Sequence, residues 1–224
     1  AQGRLDAGVY VSLGSFGGYI TVRMPKTIKT RKGYDFGVIG NPVDGSSEPG
    51  IVWVSSDENG NGIADDPWYE LKGSDSKDTE RKYSVTYSRP SEPGDIAWKD
   101  SKNNTGVIKY LPQYHDQIYY PQWVKEDSYT LTGSMLENRT VKEGDYWYNL
   151  SFGWGYADNM GNDIEKNANG DYRYNQSDLD NAIDENGNPV ELSEIRFVKV
   201  QSAILHNADI LGEVSTEVCG FKVF

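Results

Sequence analysis

Cysteine is nearly missing from this chain. One residue in 224, Cys219, excludes an internal disulfide and a cysteine-based zinc site. In the alternating stretch Glu217–Phe221 it reads as a buried, inert thiol. Histidine is scarcer than in most domains, with only His115 and His206. Each stands near an aspartate, Asp116 or Asp209, where a solvated or capping imidazole is the commoner arrangement than a shared metal. Positive charge is also short: 22 Lys and Arg against 34 Asp and Glu give 22 − 34 = −12. Such a field repels phosphate backbones and anionic headgroups, so nucleic acid is not an expected partner. No run of 18 apolar residues occurs, so no helical span and no direct membrane insertion is expected. The chain starts at Ala1 without Met or a leader. It reads as a mature or trimmed segment, with an export signal or lipid anchor expected ahead of it.

Catalytic signatures are absent too. There is no nucleophile elbow, HExxH, CxxC or phosphate-cradling loop, and Gly14-Ser15-Phe16-Gly17-Gly18 lacks the Lys-Ser/Thr and helix a phosphate loop needs. A bend feeding a strand is the reading there. Carboxylate pairs such as Asp65/Asp66 and Glu213/Glu217 do not by themselves make a glycosidase pair. Glu213, Ser215 and Glu217 alternate with Val214, Thr216 and Val218, which predicts a solvent-facing acidic stripe on a terminal strand. The expectation is a protein that is not an enzyme.

What the chain does have is rings: aromatics are 12% of residues, with 16 Tyr and 6 Trp, at a mean hydropathy of −0.68. A disordered acidic chain would lack them. Short β-rich runs, among them Tyr19–Met24, Phe36–Ile39, Ile51–Ser55, Tyr83–Tyr87, Tyr129–Leu136, Ile195–Gln201 and Val214–Phe224, are separated by Gly, Pro, Asn and Asp clusters. This pattern, with almost no helical periodicity, predicts an all-β fold, a β-sandwich forming one domain over residues 1–224. Asp158–Asp180, rich in Asn, Asp and Gly, is expected to be a long polar excursion from it.

The pentapeptide DENGN occurs twice, at Asp57–Asn61 and at Asp184–Asn188. In the first copy Asp57, Asn59 and Asn61 take positions one, three and five of a calcium-loop template. Gly62 follows for the sharp curl, Ile63 offers a backbone carbonyl and Asp65 stands at nine. Position twelve is Trp68, not Glu, so Asp66 or Glu70 would have to complete the set. The flanks are strand-like, which makes this a loop between strands and calcium its expected structural cofactor. An Asx-rich surface turn is the alternative. The second copy runs into Pro189 and Leu192, and its Asn186-Gly187 pair favours a tight hairpin turn between Leu179–Ile183 and Val190–Phe197.

Three aromatic groups, Tyr114–Trp123, Tyr146–Asn149 and Trp154–Asn159, mix rings with Asn, Asp, Gln and Gly. Rings flanked by amides suit stacking on a sugar or macrocycle. Tyr119, Tyr120, Trp123, Trp147, Trp154 and Tyr156 are the candidate ligand-binding residues, although any one ring can equally roof the core.

Taken in order, Leu13–Val22, Asp35–Asn41, Ser47–Val54, Asp57–Leu71, Tyr119–Gly133, Phe197–Gln201 and Gly212–Phe221 resemble the surface-exposed lipoproteins and "cell surface proteins" of gut Bacteroidota. The resemblance spans nearly the whole chain. It implies a single jelly-roll-like β-sandwich and an outward-facing, outer-membrane-anchored or secreted location, the anchor lying outside this segment. Some members are encoded beside TonB-dependent corrinoid transporters, which implies capture of vitamin B12 or a related corrinoid for uptake, in reach of an outer-membrane transporter complex. A carbohydrate-binding module and a structural or adhesive surface module without a small ligand are the alternatives.

Overall fold

The computed structural model describes residues 1–14, 17–113, 116–166, 169, 172–203 and 214–224. Apart from the short helix α1 (Gln2–Asp6) and a 3₁₀ turn at Leu179–Asn181, its regular structure is all strand. The central sheet has five strands: β14 (Ala182–Ile183), β5 (Tyr69–Leu71), β4 (Gly50–Ser55), β15 (Glu194–Ser202) and β2 (Tyr19–Lys29), in that order. A four-stranded sheet orders β12 (Ile164–Lys166), β13 (Tyr172–Ser177), β3 (Phe36–Ile39) and β17 (Gly220–Val223). A second orders β8 (Thr105–Ile108), β7 (Ile96–Asp100), β6 (Glu80–Ser88) and β9 (Ser128–Met135). Two ribbons complete the set: β1 (Val11–Ser12) with β16 (Glu217–Val218), and β10 (Thr140–Glu143) with β11 (Tyr146–Asn149). All of these ladders are antiparallel.

Strand alternation sets the packing. Val52, Val54, Val198 and Val200 of the central sheet share one apolar cluster with Phe36 and Val38 of β3, so these two sheets meet face to face. Residues of the opposite parity, Lys199 and Gln201, lie on the other face of β15. There Lys199 is in register with Trp53 and Thr21, and Gln201 with Ile51 and Tyr19. β9 crosses that second face: Gln201 Nε2 donates to the Thr132 carbonyl at 3.2 Å, and Gly133 lies so near the Gln201 amide that a Cβ there would clash at 2.6 Å. The third sheet has its own core of Tyr83, Val85, Tyr87, Ile96, Ile108 and Tyr120. Its opposite face carries hydroxyl pairs between cross-strand partners, Ser84 with Thr132 and Thr86 with Thr130.

Two expectations change here. The polar segment 158–180 is more than an excursion, because β13 within it pairs with β3 as an internal strand of a sheet. The terminal stretch 214–224 is not one strand with an acidic outer stripe. Ser215 and Glu217 are buried along with Val214, Thr216 and Val218, and Glu213 lies outside the described residues. The cause is tertiary: segments around Glu48 and Asp158 cover the face that alternation alone would assign to water.

Candidate functional site

Three features gather the chemistry-bearing residues: an aromatic groove, the first DENGN loop and a buried trio of carboxylates. The groove begins as a cleft of about 810 Å³ over the edge of β2 and β9. Tyr19 and Leu13 stand on one side, Tyr129 and Leu131 on another, and the segment Gln117–Val124 closes it. Trp123 is 80% exposed and Tyr19 55%, while Tyr119 is half-buried, held edge-on against Tyr110 at 5.1 Å between ring centres. None of the described lining residues is charged. A second depression of about 420 Å³ shares Tyr19 and Leu131 with the first, and adds Thr21, Ala64, Trp68, Thr130, Thr132, Lys199 and Gln201. The two adjoin at these shared residues, one on each face of the edge strand β9: Tyr129 and Leu131 pack toward the third sheet's core, and Thr130 and Thr132 face the other way.

Of the six rings expected on a ligand face, the structure brings Tyr119 and Trp123 to this groove. Tyr120, in a bend of the chain, points the other way, into the third sheet's core. It is 1% exposed, donates through its hydroxyl to the Glu126 carbonyl at 2.9 Å, and lies under the Arg89 guanidinium. Tyr156 is likewise core, packed on Phe152, with its hydroxyl accepting from the Asp75 N–H; burial pushes its phenol up to about 12. Trp147 sits on the β10–β11 ribbon opposite Lys142, and Trp154 in the turn whose carbonyl accepts from Ser74. Neither lines the groove. Sequence reading missed Tyr19 and Tyr129 as groove residues because both fall inside regular strands, where alternation tells a face but not what covers it.

The first DENGN loop is folded by Asx turns. Asp57 Oδ1 accepts from the Gly62 N–H at 3.1 Å, Asn59 Oδ1 from Asn61 at 2.9 Å, and Asn61 Oδ1 from Ile63 at 2.7 Å. Gly62 takes φ +74°, the left-handed conformation the template requires. Asp65 accepts the side-chain N–H groups of Asn61 and Asn59, which hold its carboxyl below the usual range, and Asp66 accepts from Glu58 N–H at 3.0 Å. The donor set is all oxygen and each Asn oxygen keeps a second lone pair, so the residues fit a hard cation. Entry of a cation would replace the three Asn-to-Asp65 N–H bonds. Trp68, at the template's twelfth position, is a groove wall instead of a ligand.

The second copy is a closed turn. Gly187 N–H donates to the Asp184 carbonyl at 3.0 Å, and Asp184 Oδ1 accepts from Asn186 and Asn188, both at 2.8 Å. The flanks meet through the Ile183–Pro189 bridge and a Val190-to-Ala182 bond, shorter than the expected hairpin because β15 leaves to pair with β2 and β4.

The third feature was not foreseen. Glu48, Asp158 and Glu217 place carboxylate oxygens within 4.8 Å of one another, a buried cluster capable of coordinating a metal ion. Asp158 Oδ1 accepts from Asn41 N–H at 2.9 Å and Oδ2 from Glu217 N–H at 2.8 Å; Glu48 Oε1 accepts from Ser215 N–H at 3.3 Å. Among the described residues no Lys, Arg or His forms an ion pair with any of the three. Burial, then the hydrogen bond and charge of Glu217, push Glu48 up to about 9; burial pushes Asp158 up to about 7. Glu48 and Asp158 are therefore pushed toward the protonated form, and a cation seated among the three carboxylates would oppose that. The residues come from three distant segments, with no spacing to betray them. His115 and His206 lie outside the described residues.

No protein-family model matches the chain, and no curated protein is significantly similar to it.

Proposed function

We propose that this chain is a non-catalytic ligand-capturing module of a bacterial cell surface, a jelly-roll-like sandwich whose aromatic groove takes a ring-bearing nutrient, with a corrinoid as the first ligand to test. The carrying observation is the cleft of about 810 Å³ lined by Tyr19, Tyr119, Trp123 and Tyr129, uncharged throughout its described lining in a chain of net charge −12. That size lies in the range of small-molecule sites. Trp123, 80% exposed, does not stand alone: Tyr19, 55% exposed, and Ile118 share the cleft with it as a contiguous apolar patch. Gln117 and Gln122 on the same rim supply amides to match the amide-fringed edge of a corrin. The resemblance to the Bacteroidota surface proteins points the same way, toward delivery to an outer-membrane transporter.

Titration with cyanocobalamin should quench tryptophan fluorescence and perturb the corrin visible spectrum, and Trp123→Ala should weaken both responses. Silence at high micromolar ligand ends the corrinoid reading. Binding on a glycan array with the same Trp123 dependence would assign a carbohydrate instead, and silence in both would leave a structural or adhesive module.

A divalent cation, calcium by its preference for all-oxygen donors, completes the proposal in a structural role. The Asp57–Asp66 loop and the Glu48/Asp158/Glu217 trio are its two seats. Elemental analysis of wild type, Asp57→Ala and Glu48→Gln tells them apart, since each variant should lose only its own ion. Protein free of any divalent ion, with a melting temperature indifferent to chelator, would remove the cation from the account.

A further inference from the structure

Lys199 is out of place by every ordinary rule for lysine. It stands mid-strand on β15, the central sheet's most extensively paired strand, and three aromatic rings surround its ammonium: Trp53 at 4.6 Å, Trp68 at 5.1 Å and Tyr19 at 5.8 Å from Nζ to ring centre. No carboxylate pairs with it among the described residues, although the chain carries 34 of them. Burial alone pushes its ammonium down to about 8, with no neighbouring charge contributing. Ring faces stabilise a cation but leave its N–H donors without acceptors. Beside it the buried indole N–H of Trp53 also lacks an acceptor. What the spot is short of is an acceptor with negative charge.

Lys199 is the one charged residue among those described around the two depressions, and it lies in the smaller one, which adjoins the aromatic cleft at Tyr19 and Leu131. Around it are Thr21, Thr130, Thr132 and Gln201, polar without being acidic. A groove with a neutral, ring-lined half and a single cation at one end is complementary to a molecule with a matching division.

We propose that Lys199 forms an anion subsite of the groove, so that the captured ligand carries one anionic group, a carboxylate or a phosphate ester, attached to the ring system that stacks on Trp123. This rests on the ligand-capture reading and adds the charge class of the ligand. A charge-assisted hydrogen bond in a partly desolvated site is strong enough to give about tenfold discrimination or more.

The test compares molecules that differ in that group: cobinamide phosphate against cobinamide, and glucuronate against glucose. Wild type should bind the anionic member of whichever pair it recognises about tenfold tighter or more. Lys199→Met, which keeps the length of the side chain beneath the rings, should erase the preference, and Lys199→Arg should retain it. Trp123→Ala should weaken both members alike. Equal affinity for the two members in wild type, or a preference that survives Lys199→Met in a variant with an unchanged circular dichroism spectrum, overturns the proposal. If neither pair binds, the ring-capture reading has failed and the subsite is judged alone: inorganic phosphate, against chloride at matched ionic strength, should slow acetylation of Lys199 by an amine-reactive ester, and equal labelling rates would remove the subsite as well.

Discussion

Asp158 joins three segments that are far apart in the chain. Its backbone is held at φ +52°, its carboxylate accepts from Asn41 and Glu217, and its carbonyl accepts from Glu48. Asp158→Ala orphans the buried Glu217 N–H and the part-buried Asn41 N–H and should lower the unfolding free energy by about 3 kcal/mol, measured by urea denaturation. The same trio sets a pH dependence. Glu48 and Asp158 have folded pKa values raised above 4.5 and 3.8 to about 9 and about 7, so the folded state binds protons that the unfolded chain has released. Their stabilising contribution is full below those unfolded values and is lost as pH rises through about 7 and then about 9. Asp35, Glu70 and Asp163 shift the same way through burial. In chelator the melting temperature should fall from about pH 5 to about pH 8, and Glu48→Gln should flatten the slope. A bound divalent cation should flatten it too. Two aromatic substitutions separate core from ligand face: Tyr120→Ala should cost about 3–5 kcal/mol, whereas Trp123→Ala should cost about 0.5 kcal/mol or less.

Among the elements, the two DENGN loops show how far local sequence reaches. Their different continuations, Gly62 against Pro189, were readable, and the structure gives one an Asx-turn loop with a left-handed glycine and the other a closed turn. That the first loop carries Trp68 to a ring over Lys199 was not readable, because β15 lies far along the chain. Gly62→Ala forces an L side chain into φ +74° against the Arg23 guanidinium at 3.2 Å, and Gly187→Ala does the same at φ +83° beside Arg81 at 3.4 Å. Each should cost about 1–2 kcal/mol. Only Gly62→Ala should also weaken ligand binding, by moving the Trp68 wall; equal affinities in the two variants would detach the loop from the groove. Strands with clear alternation, such as β6 and β9, matched their runs to within a few residues. β13, set among Asn and Asp, did not announce itself, because its support is the pairing with β3 and not its own apolar content. Nor could alternation reveal Glu217 as buried, since the segments that cover it arrive from elsewhere in the chain.

For the molecule as a whole, the groove gathers residues from β1, β2, β9, β15, the Gln117–Val124 segment and the end of the first DENGN loop. A ligand there binds the folded state alone, so saturating ligand should raise the melting temperature, by about 2.7 kcal/mol of stabilisation at a hundredfold excess over Kd. The uncharged lining has a further consequence for kinetics. An anion approaching a body of charge −12 is first repelled and reaches its single attractive partner only at contact. Association should therefore quicken as ionic strength rises and the long-range repulsion is screened, while dissociation, governed by the sheltered contact at Lys199, should change less. Stopped-flow mixing at two salt concentrations would read this directly. A protein built this way would capture its ligand faster in brine than in fresh water.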